Sequence, residues 1–208
     1  MDISNEKKVG IMGGTFNPIH NGHLLLAESA RKTFNLEQIL FMPSGNSYLK
    51  QDIKIVSAQN RANMTALAIQ GNPYFTLSTM EINRTGPTYT YETLKELKDN
   101  NPNTHYYFIT GADSLLSLHT WRKPEVILSK CTVITAVRGG ESVESLGIAI
   151  EHLKKQFQAD IEILPIEPID LSSSEIRRRI ANGQSVQDML PDKVLEYINE
   201  NHFYDNSI

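Results

Sequence analysis

The stretch Gly13-Gly14-Thr15-Phe16-Asn17-Pro18-Ile19-His20-Asn21-Gly22-His23 decides both the fold and the chemistry of this chain. It follows an apolar run at residues 9–12, which predicts a short buried strand, and it leads into a helical pattern at 24–34. The motif therefore occupies a strand-to-helix turn, where main-chain N–H groups and the positive helix end attract phosphate. Adjacent glycines let a ligand approach the main chain closely. We expect a phosphate-binding turn at this point.

Two histidines give this turn a chemical function. His20 and His23 stand three residues apart at the start of the helix, so both imidazoles can face the same point above the turn. A zinc site needs three or four ligands, and the only cysteine, Cys131, lies in an apolar run that predicts a buried strand. Chemistry on a phosphate is favoured, with metal ligation and a purely structural role as alternatives.

A second phosphate-binding element is predicted near the C-terminus, at Leu171-Ser172-Ser173-Ser174-Glu175-Ile176-Arg177. Ser172 is a suitable N-cap residue, and Glu175 is placed to complete a capping box with it. Ser173 and Ser174 precede Arg177 by four and three residues, so one helix face carries hydroxyls and a guanidinium together. The alternative is an ordinary capped surface helix, and the two following arginines, at 178 and 179, are expected to stay solvated.

Composition fits a compact enzyme. The chain has 208 residues, of which 40% are hydrophobic, enough for one domain with a full core. A net charge of -4 argues against a nucleic-acid partner. There is no apolar window of membrane-spanning length, and residues 1–8 are too polar for a secretory signal. A single cysteine fits the cytoplasm.

Strand and helix patterns alternate along almost the whole chain. The predicted strands are 9–12, 38–42, 75–82, 105–110, 130–137 and 161–164. The predicted helices are 24–34, 57–70, 90–98, 144–157 and 191–199, with a loop at 43–55 and with Trp121 between two short helical stretches. The fold class is therefore α/β, a Rossmann-like doubly wound and mainly parallel sheet in one domain over 1–208, with a C-terminal helical part at about 172–204. Its ligands should bind at the carboxyl ends of the strands.

The first motif resembles the HxGH signature, GGxFxPxHxGH, of the nucleotidyltransferase superfamily, and residues 171–177 resemble the ISSTxIR motif of the same superfamily. The resemblance implies transfer of a nucleotidyl group, usually AMP from ATP, to a phosphate or related acceptor with release of pyrophosphate. It implies that His20, His23 and Arg177 are catalytic. The ATP contacts that it implies are these three residues with Gly13, Gly14, Thr15, Phe16, Gly111, Asp113, Ser172, Ser173, Ser174 and Ile176.

Three further segments bear on the acceptor: residues 86–93 (GPTYTYET), residues 110–113 (TGAD) followed by Trp121, and residues 137–140 (VRGG). With the two phosphate motifs, they resemble the bacterial nicotinate-mononucleotide adenylyltransferase family, whose members make deamido-NAD. Trp121 offers a flat face for a cationic pyridinium ring, a contact of roughly 0.5–2 kcal/mol. The acceptor contacts that the resemblance implies are Thr88, Tyr89, Thr90, Trp121, Arg138 and Lys50.

The resemblance also implies the partners and leaves alternatives open. ATP and nicotinate mononucleotide are the expected substrates, and Mg²⁺ is expected to arrive with ATP, held mainly by phosphate and water. Asn17 stands where the family commonly has Asp, and residues 46–50 (NSYLK) replace a common Pro-Pro-His before the loop lysine. The alternatives are a related adenylyltransferase using nicotinamide mononucleotide or phosphopantetheine, and a non-catalytic nucleotide sensor. The oligomeric state stays open, a homo-oligomer included.

Overall fold

Six parallel strands form the central sheet of the computed structural model, which describes residues 6–47, 55–136, 143–167 and 169–205. The strands of this sheet are β1 (Lys7–Gly14), β2 (Gln38–Pro43), β4 (Phe75–Leu77), β6 (Thr104–Gly111), β7 (Cys131–Ala136) and β8 (Ile161–Ile163). Their order is β4-β2-β1-β6-β7-β8, so the direction of winding reverses between β1 and β6. Ligands of such sheets bind outside the carboxyl ends of the strands at that point.

Helices connect the strands. They are α1 (Asn21–Phe34), α2 (Ala58–Ile69), α3 (Thr90–Asn100), α4 (Ala112–Ser117), α5 (Pro124–Lys130), α6 (Val143–Phe157), α7 (Ser173–Ala181) and α8 (Asp192–Glu200). Trp121 follows a 3-10 turn that extends α4, and it precedes α5, as predicted. No helix within the described ranges combines the length and apolar character needed to cross a membrane.

The central strand β1 shows why helices cover both faces of the sheet. Val9 and Ile11 belong to one hydrophobic cluster, which includes Leu97 of α3, whereas Met12 belongs to a second cluster with Ala27 of α1. Successive strand side chains point to opposite faces, so this short apolar run contributes to the core on each side. The predicted doubly wound, parallel α/β fold is confirmed.

The strand predicted at 75–82 is wrong in its second half. Only β4, three residues long, pairs with β2. The chain then turns, because Asn83 N–H donates to the carbonyl of Thr79 at 3.0 Å and Arg84 N–H donates to that of Glu81 at 3.3 Å. The alternating pattern from 78 to 82 therefore reflects a partly buried turn.

The loop predicted at 43–55 contains a strand. β3 (Asn46–Ser47) pairs in parallel with β5 (Pro87–Thr88) as a separate two-stranded sheet. Just before β3, Gly45 packs so closely against Glu81 that a Cβ at Gly45 would collide with the main-chain oxygen of Glu81. The pairing brings the residues that follow β2 next to the predicted acceptor segment, residues 86–93. Residues 48–54 lie outside the described part of the chain.

The C-terminal helices pack on the same core as the sheet. Val194 and Ile198 of α8 are buried in the cluster that contains Met12. The Tyr197 hydroxyl donates to Asn60 Oδ1 at 3.0 Å and accepts from Asn63 Nδ2 at 2.9 Å, both on α2. The single-domain organisation over 1–208, with a C-terminal helical part at about 172–204, stays a prediction.

Candidate active site

A cleft of about 600 Å³ opens at the carboxyl ends of β1 and β6, where the sheet reverses its winding. Three elements form its walls: the glycine turn after β1, the start of α4 with Trp121, and the start of α7. The predicted site residues that line it are Gly13, Gly14, Thr15, Phe16, His20, His23, Gly111, Asp113, Trp121, Ser172, Ser173, Ser174 and Arg177. Both predicted phosphate motifs therefore meet in one cavity.

The glycine turn is tightly packed from behind. A Cβ at Gly14 would lie 2.9 Å from the ring of Phe16, and a Cβ at Gly13 would lie 3.2 Å from the ring of Phe108. Phe16 itself is buried and has a φ of 49°, in the left-handed region. The absence of a side chain at both glycines lets the aromatic rings support the turn while the main chain faces the cleft.

The two histidines form one unit at the start of α1. Their rings stack with centroids 3.7 Å apart, and the main-chain N–H of His20 donates to Nδ1 of His23 at 3.2 Å. The Phe16 ring lies nearly perpendicular to the His23 ring, with centroids 5.0 Å apart. Because Nδ1 of His23 accepts a hydrogen bond, the neutral imidazole carries its proton on Nε2. That proton can be donated to a phosphate oxygen.

The start of α7 is bonded directly to the glycine turn. The Ser173 hydroxyl donates to the main-chain oxygen of Pro18 at 2.9 Å, and Arg177 Nη1 donates to the main-chain oxygen of Asn17 at 2.7 Å. Arg177 Nη2 also reaches Ser174 Oγ at 3.4 Å. Hydroxyls and a guanidinium therefore share one helix face, as the spacing predicts.

Only half of the predicted capping box forms. Ser172 Oγ accepts from the main-chain N–H of Glu175 at 3.2 Å, as predicted. The Glu175 carboxylate instead accepts hydrogen bonds from Arg178 Nε at 2.8 Å and Arg179 Nε at 2.8 Å, which lower its pKa to about 2. Arg178 is exposed and Arg179 is partly exposed, as expected of solvated side chains, but both are also paired with this carboxylate.

Trp121 lines the cleft from the segment that joins α4 to α5. Its indole N–H donates to Ser117 Oγ at 3.3 Å, and its ring meets Phe108 edge-on with centroids 6.2 Å apart. The ring is half-buried against one core cluster and also lines the cleft. Packing and ligand contact are therefore compatible for this residue.

The predicted acceptor segment lies beside this wall rather than in the main cleft. Thr88, Tyr89 and Thr90 are not among the lining residues of the main cleft. Tyr89 is joined to the neighbour of Trp121, because the Arg122 guanidinium lies 4.8 Å over its ring and Nη1 donates to its hydroxyl at 3.3 Å. Tyr89 is also the N-cap of α3, so the first N–H groups of that helix have no partner inside it.

A second, smaller cleft of about 390 Å³ adjoins the first. Thr15 and Ile55 line both clefts, and Arg84 and Gly86 line the smaller one. Gly86 opens the predicted acceptor segment. Space therefore continues from the glycine turn towards the segment that the sequence analysis assigned to the acceptor.

The three other predicted contact residues are Ile176, Arg138 and Lys50. The Ile176 side chain is fully buried in the core and does not line the cleft, so its side chain holds α7 in place. Arg138 and Lys50 lie outside the described residues. Across the ranges that the structure describes, no group of three or more His, Cys, Asp or Glu side chains is arranged to hold a metal ion.

Sequence reasoning missed Arg61, a buried cation behind the glycine turn. Its guanidinium donates to the carbonyls of Thr15 at 2.6 Å, Ser44 at 2.6 Å and Val56 at 3.1 Å, and burial lowers its pKa. The signal was available, because Arg61 precedes Met64 by three residues and therefore falls on the apolar face of α2. An arginine on an inner face indicates a structural hydrogen-bonding role.

Comparison with known proteins agrees with this geometry. A family model described as cytidylyltransferase-like matches residues 11–179. The "Probable nicotinate-nucleotide adenylyltransferase" of Lachnoclostridium phytofermentans is 42% identical over 198 residues, covering 95% of this chain and 99% of that protein. The protein with the same name in Dehalococcoides mccartyi is also 42% identical over 198 residues, covering 95% and 97%.

Solved structures support the fold. The Plasmodium falciparum nicotinic acid mononucleotide adenylyltransferase complexed with NaAD superposes with a TM-score of 0.79 at 22% identity, covering 95% of this chain and 97% of that chain. The same enzyme complexed with APC gives a TM-score of 0.76 at 21% identity, with the same coverage. With the matches in sequence, these findings place the chain: it belongs to the cytidylyltransferase-like family and, within it, to the nicotinate-nucleotide adenylyltransferases.

Proposed function

We propose that this chain transfers the adenylyl group of ATP to nicotinate mononucleotide, giving deamido-NAD and pyrophosphate. The observation that carries the proposal is the hydrogen bond from Arg177 to the main-chain oxygen of Asn17, because it fixes both phosphate motifs in one cleft. The names of relatives 42% identical to this chain support the choice of acceptor.

The reaction needs placement more than it needs an activated nucleophile. A phosphate oxygen of the acceptor forms a bond to the α-phosphorus of ATP, and the bond from that phosphorus to the oxygen bridging to the β-phosphate breaks. The acceptor phosphate is already an anion near neutral pH, so no general base is required. Catalysis comes from in-line placement of the reactants and from hydrogen-bond donors directed at the non-bridging oxygens of the α-phosphate. We assign those donors to His20 and His23, the latter through Nε2.

The leaving pyrophosphate needs positive charge on the far side of the α-phosphorus. Arg177 and the first N–H groups of α7 supply it, since helix N-termini bind phosphate and a guanidinium donates two parallel hydrogen bonds. The hydroxyls of Ser173 and Ser174 lie at the same helix start. Pyrophosphate therefore departs towards α7.

The acceptor is placed by the part of the cleft that Trp121 lines. The Trp121 ring stacks on the pyridinium ring. Hydrogen-bond donors at Thr88, Tyr89 and Thr90 bind the carboxylate of that ring. These donors lie close to Trp121, because Tyr89 contacts Arg122. We further assign Asp113 to ribose hydroxyls, and Arg138 and Lys50 to the acceptor phosphate.

Magnesium enters this scheme as part of the substrate. Mg²⁺ is proposed to arrive with ATP, held mainly by phosphate and water. The chain is proposed to act in the cytoplasm without a nucleic-acid partner, which its single buried cysteine and its net charge of -4 support. A homo-oligomer is compatible with this function.

Product analysis tests the proposal. The purified chain is incubated with MgATP and nicotinate mononucleotide, and dinucleotide and pyrophosphate are quantified together. Equal amounts of deamido-NAD and pyrophosphate are expected. Phosphopantetheine in place of the pyridine nucleotide is the control and should release no pyrophosphate above background. Hydrolysis of ATP without a dinucleotide, or reaction with phosphopantetheine alone, would overturn the assignment.

A further inference from the structure

We infer that Tyr204, close to the C-terminal end of the chain, is a positioning residue for adenylyl transfer. Its hydroxyl holds the side chain of Asn17, and Asn17 in turn holds the guanidinium of Arg177. The inference rests on the proposed function, since it concerns how the pyrophosphate side of that site is set.

Asn17 is the residue on which three distant segments converge. It is only 4% exposed, within the turn between Gly14 and His20. Its side-chain oxygen accepts from the Tyr204 hydroxyl at 2.8 Å and from the main-chain N–H of Val56 at 3.2 Å. Its main-chain oxygen accepts from Arg177 Nη1 at 2.7 Å. A displacement of this one residue therefore moves the main-chain oxygen that accepts the hydrogen bond from Arg177.

The direction of the Tyr204 bond is fixed by its neighbours. The N–H of Val56 can only donate, so the Asn17 atom that faces it is the amide oxygen, and the tyrosine hydroxyl must donate to that same oxygen. Burial raises the pKa of Tyr204 above its ordinary value, although the charges of Arg177 and Arg61 act in the opposite direction. The hydroxyl therefore keeps its proton and stays a donor throughout the neutral range.

Packing holds the Tyr204 ring independently of its hydroxyl. The ring meets Phe203 at 6.2 Å between centroids, and Phe203 meets Tyr197 of α8 at 5.9 Å. The main-chain N–H of Phe203 also donates to the carbonyl of Ile198 at 3.1 Å. Tyr204→Phe should therefore keep the chain end in place and remove only the bond to Asn17.

Tyr197 provides a matched control. Its hydroxyl donates to Asn60 Oδ1 at 3.0 Å and accepts from Asn63 Nδ2 at 2.9 Å. Tyr197→Phe therefore also removes a hydrogen-bonded tyrosine hydroxyl from the same C-terminal region. These partners lie on α2 and do not bond to the glycine turn. A general loosening of the C-terminal region would affect both variants, whereas positioning of Asn17 affects only Tyr204→Phe.

The test measures binding of a non-hydrolysable ATP analogue with Mg²⁺ to the full-length chain by titration calorimetry. Loss of one positioning hydrogen bond should raise Kd about fivefold in Tyr204→Phe. Tyr197→Phe should stay within about twofold of the wild type, and thermal melting should show both variants folded. An unchanged Kd in Tyr204→Phe, or an equal rise in Tyr197→Phe, would overturn the inference.

A double-mutant cycle separates positioning through Arg177 from a direct effect. In kcat/KM for ATP, Tyr204→Phe should cost about fivefold in the wild-type background and less than about twofold in the Arg177→Ala background. The same fivefold loss in both backgrounds would overturn the inference. The calorimetric experiment contains no acceptor, so a wrong acceptor assignment leaves its result intact, whereas a wild-type chain that fails to bind the ATP analogue overturns both proposals.

Discussion

The hydroxyl of Ser173 donates a hydrogen bond of 2.9 Å to the main-chain oxygen of Pro18, across 155 residues of sequence. With the bond from Arg177 to Asn17, it makes the two phosphate motifs one rigid unit. A site that is bonded together before ATP arrives does not have to be ordered by the substrate, and this preorganisation is what in-line phosphoryl chemistry requires.

The histidine pair should carry the chemical step. His20→Ala and His23→Ala are each expected to lower kcat by roughly two orders of magnitude or more, because each removes a donor to the charge that develops on the α-phosphate. His20 is buried and His23 is half-buried, so His20→Ala should also lower the melting temperature more than His23→Ala does. Steady-state pyrophosphate release and thermal melting measure both effects. Turnover near that of the wild type in either variant would contradict the role of that histidine.

Arg177 and Arg179 should differ although both lie on α7. Arg177→Ala should raise KM for ATP by about tenfold or more, since it removes the guanidinium that lines the cleft. Arg179 pairs with Glu175, and it is not among the residues that line the cleft, so Arg179→Ala should leave KM within about twofold. Equal losses in the two variants would indicate a diffuse basic patch instead of a shaped site.

Arg61 should matter for stability. Arg61→Met leaves the carbonyls of Thr15, Ser44 and Val56 without this donor, which should lower the free energy of unfolding by about 2–4 kcal/mol. Arg178→Met is the control, because Arg178 pairs with Glu175 at the surface, and its loss should change stability little. Urea denaturation of the two variants compares them directly. Similar midpoints would show that the Arg61 network contributes nothing beyond a surface pair.

Trp121 should act on the ring of the acceptor and not on its substituent. Trp121→Ala should raise KM for nicotinate and nicotinamide mononucleotides by a similar factor, about 2- to 30-fold, because it removes a cation–π contact common to both. Trp121→Phe, which keeps an aromatic face, should recover most of the loss. Kinetics with each acceptor give the comparison, and a loss confined to one acceptor would assign Trp121 to reading the substituent.

The sequence predicts the elements that carry a strong local signal. The apolar run before Gly13 and the cap at Ser172 are local, so β1 and the start of α7 are close to their predicted bounds. The two-residue strands β3 and β5 are too short to show a period, and next to β3 Gly45 closely approaches the main chain of Glu81. Short strands of this kind cannot be read from periodicity.

Contacts between segments far apart in the chain could not be predicted from the sequence either. Nothing local in Tyr204 indicates that its hydroxyl reaches Asn17, since that bond depends on where α8 ends. Glu175 was predicted to cap its helix, but two arginines within four residues compete for its carboxylate. The residues that line the cleft could be predicted from motifs, whereas the residues that support them from behind depend on tertiary packing.

The choice between acid and amide tests the central claim most directly. Nicotinate and nicotinamide mononucleotides differ by a carboxylate against a carboxamide on the same ring. A site that presents only hydrogen-bond donors around Thr88, Tyr89 and Thr90 satisfies the carboxylate, but it leaves an amide NH₂ facing other donors. Each mismatched contact should cost about 1–3 kcal/mol of binding free energy. The measurement is kcat/KM of the wild-type chain for each acceptor at saturating MgATP. We predict a preference for the acid of about a hundredfold or more. Comparable or faster rates with the amide would contradict the account.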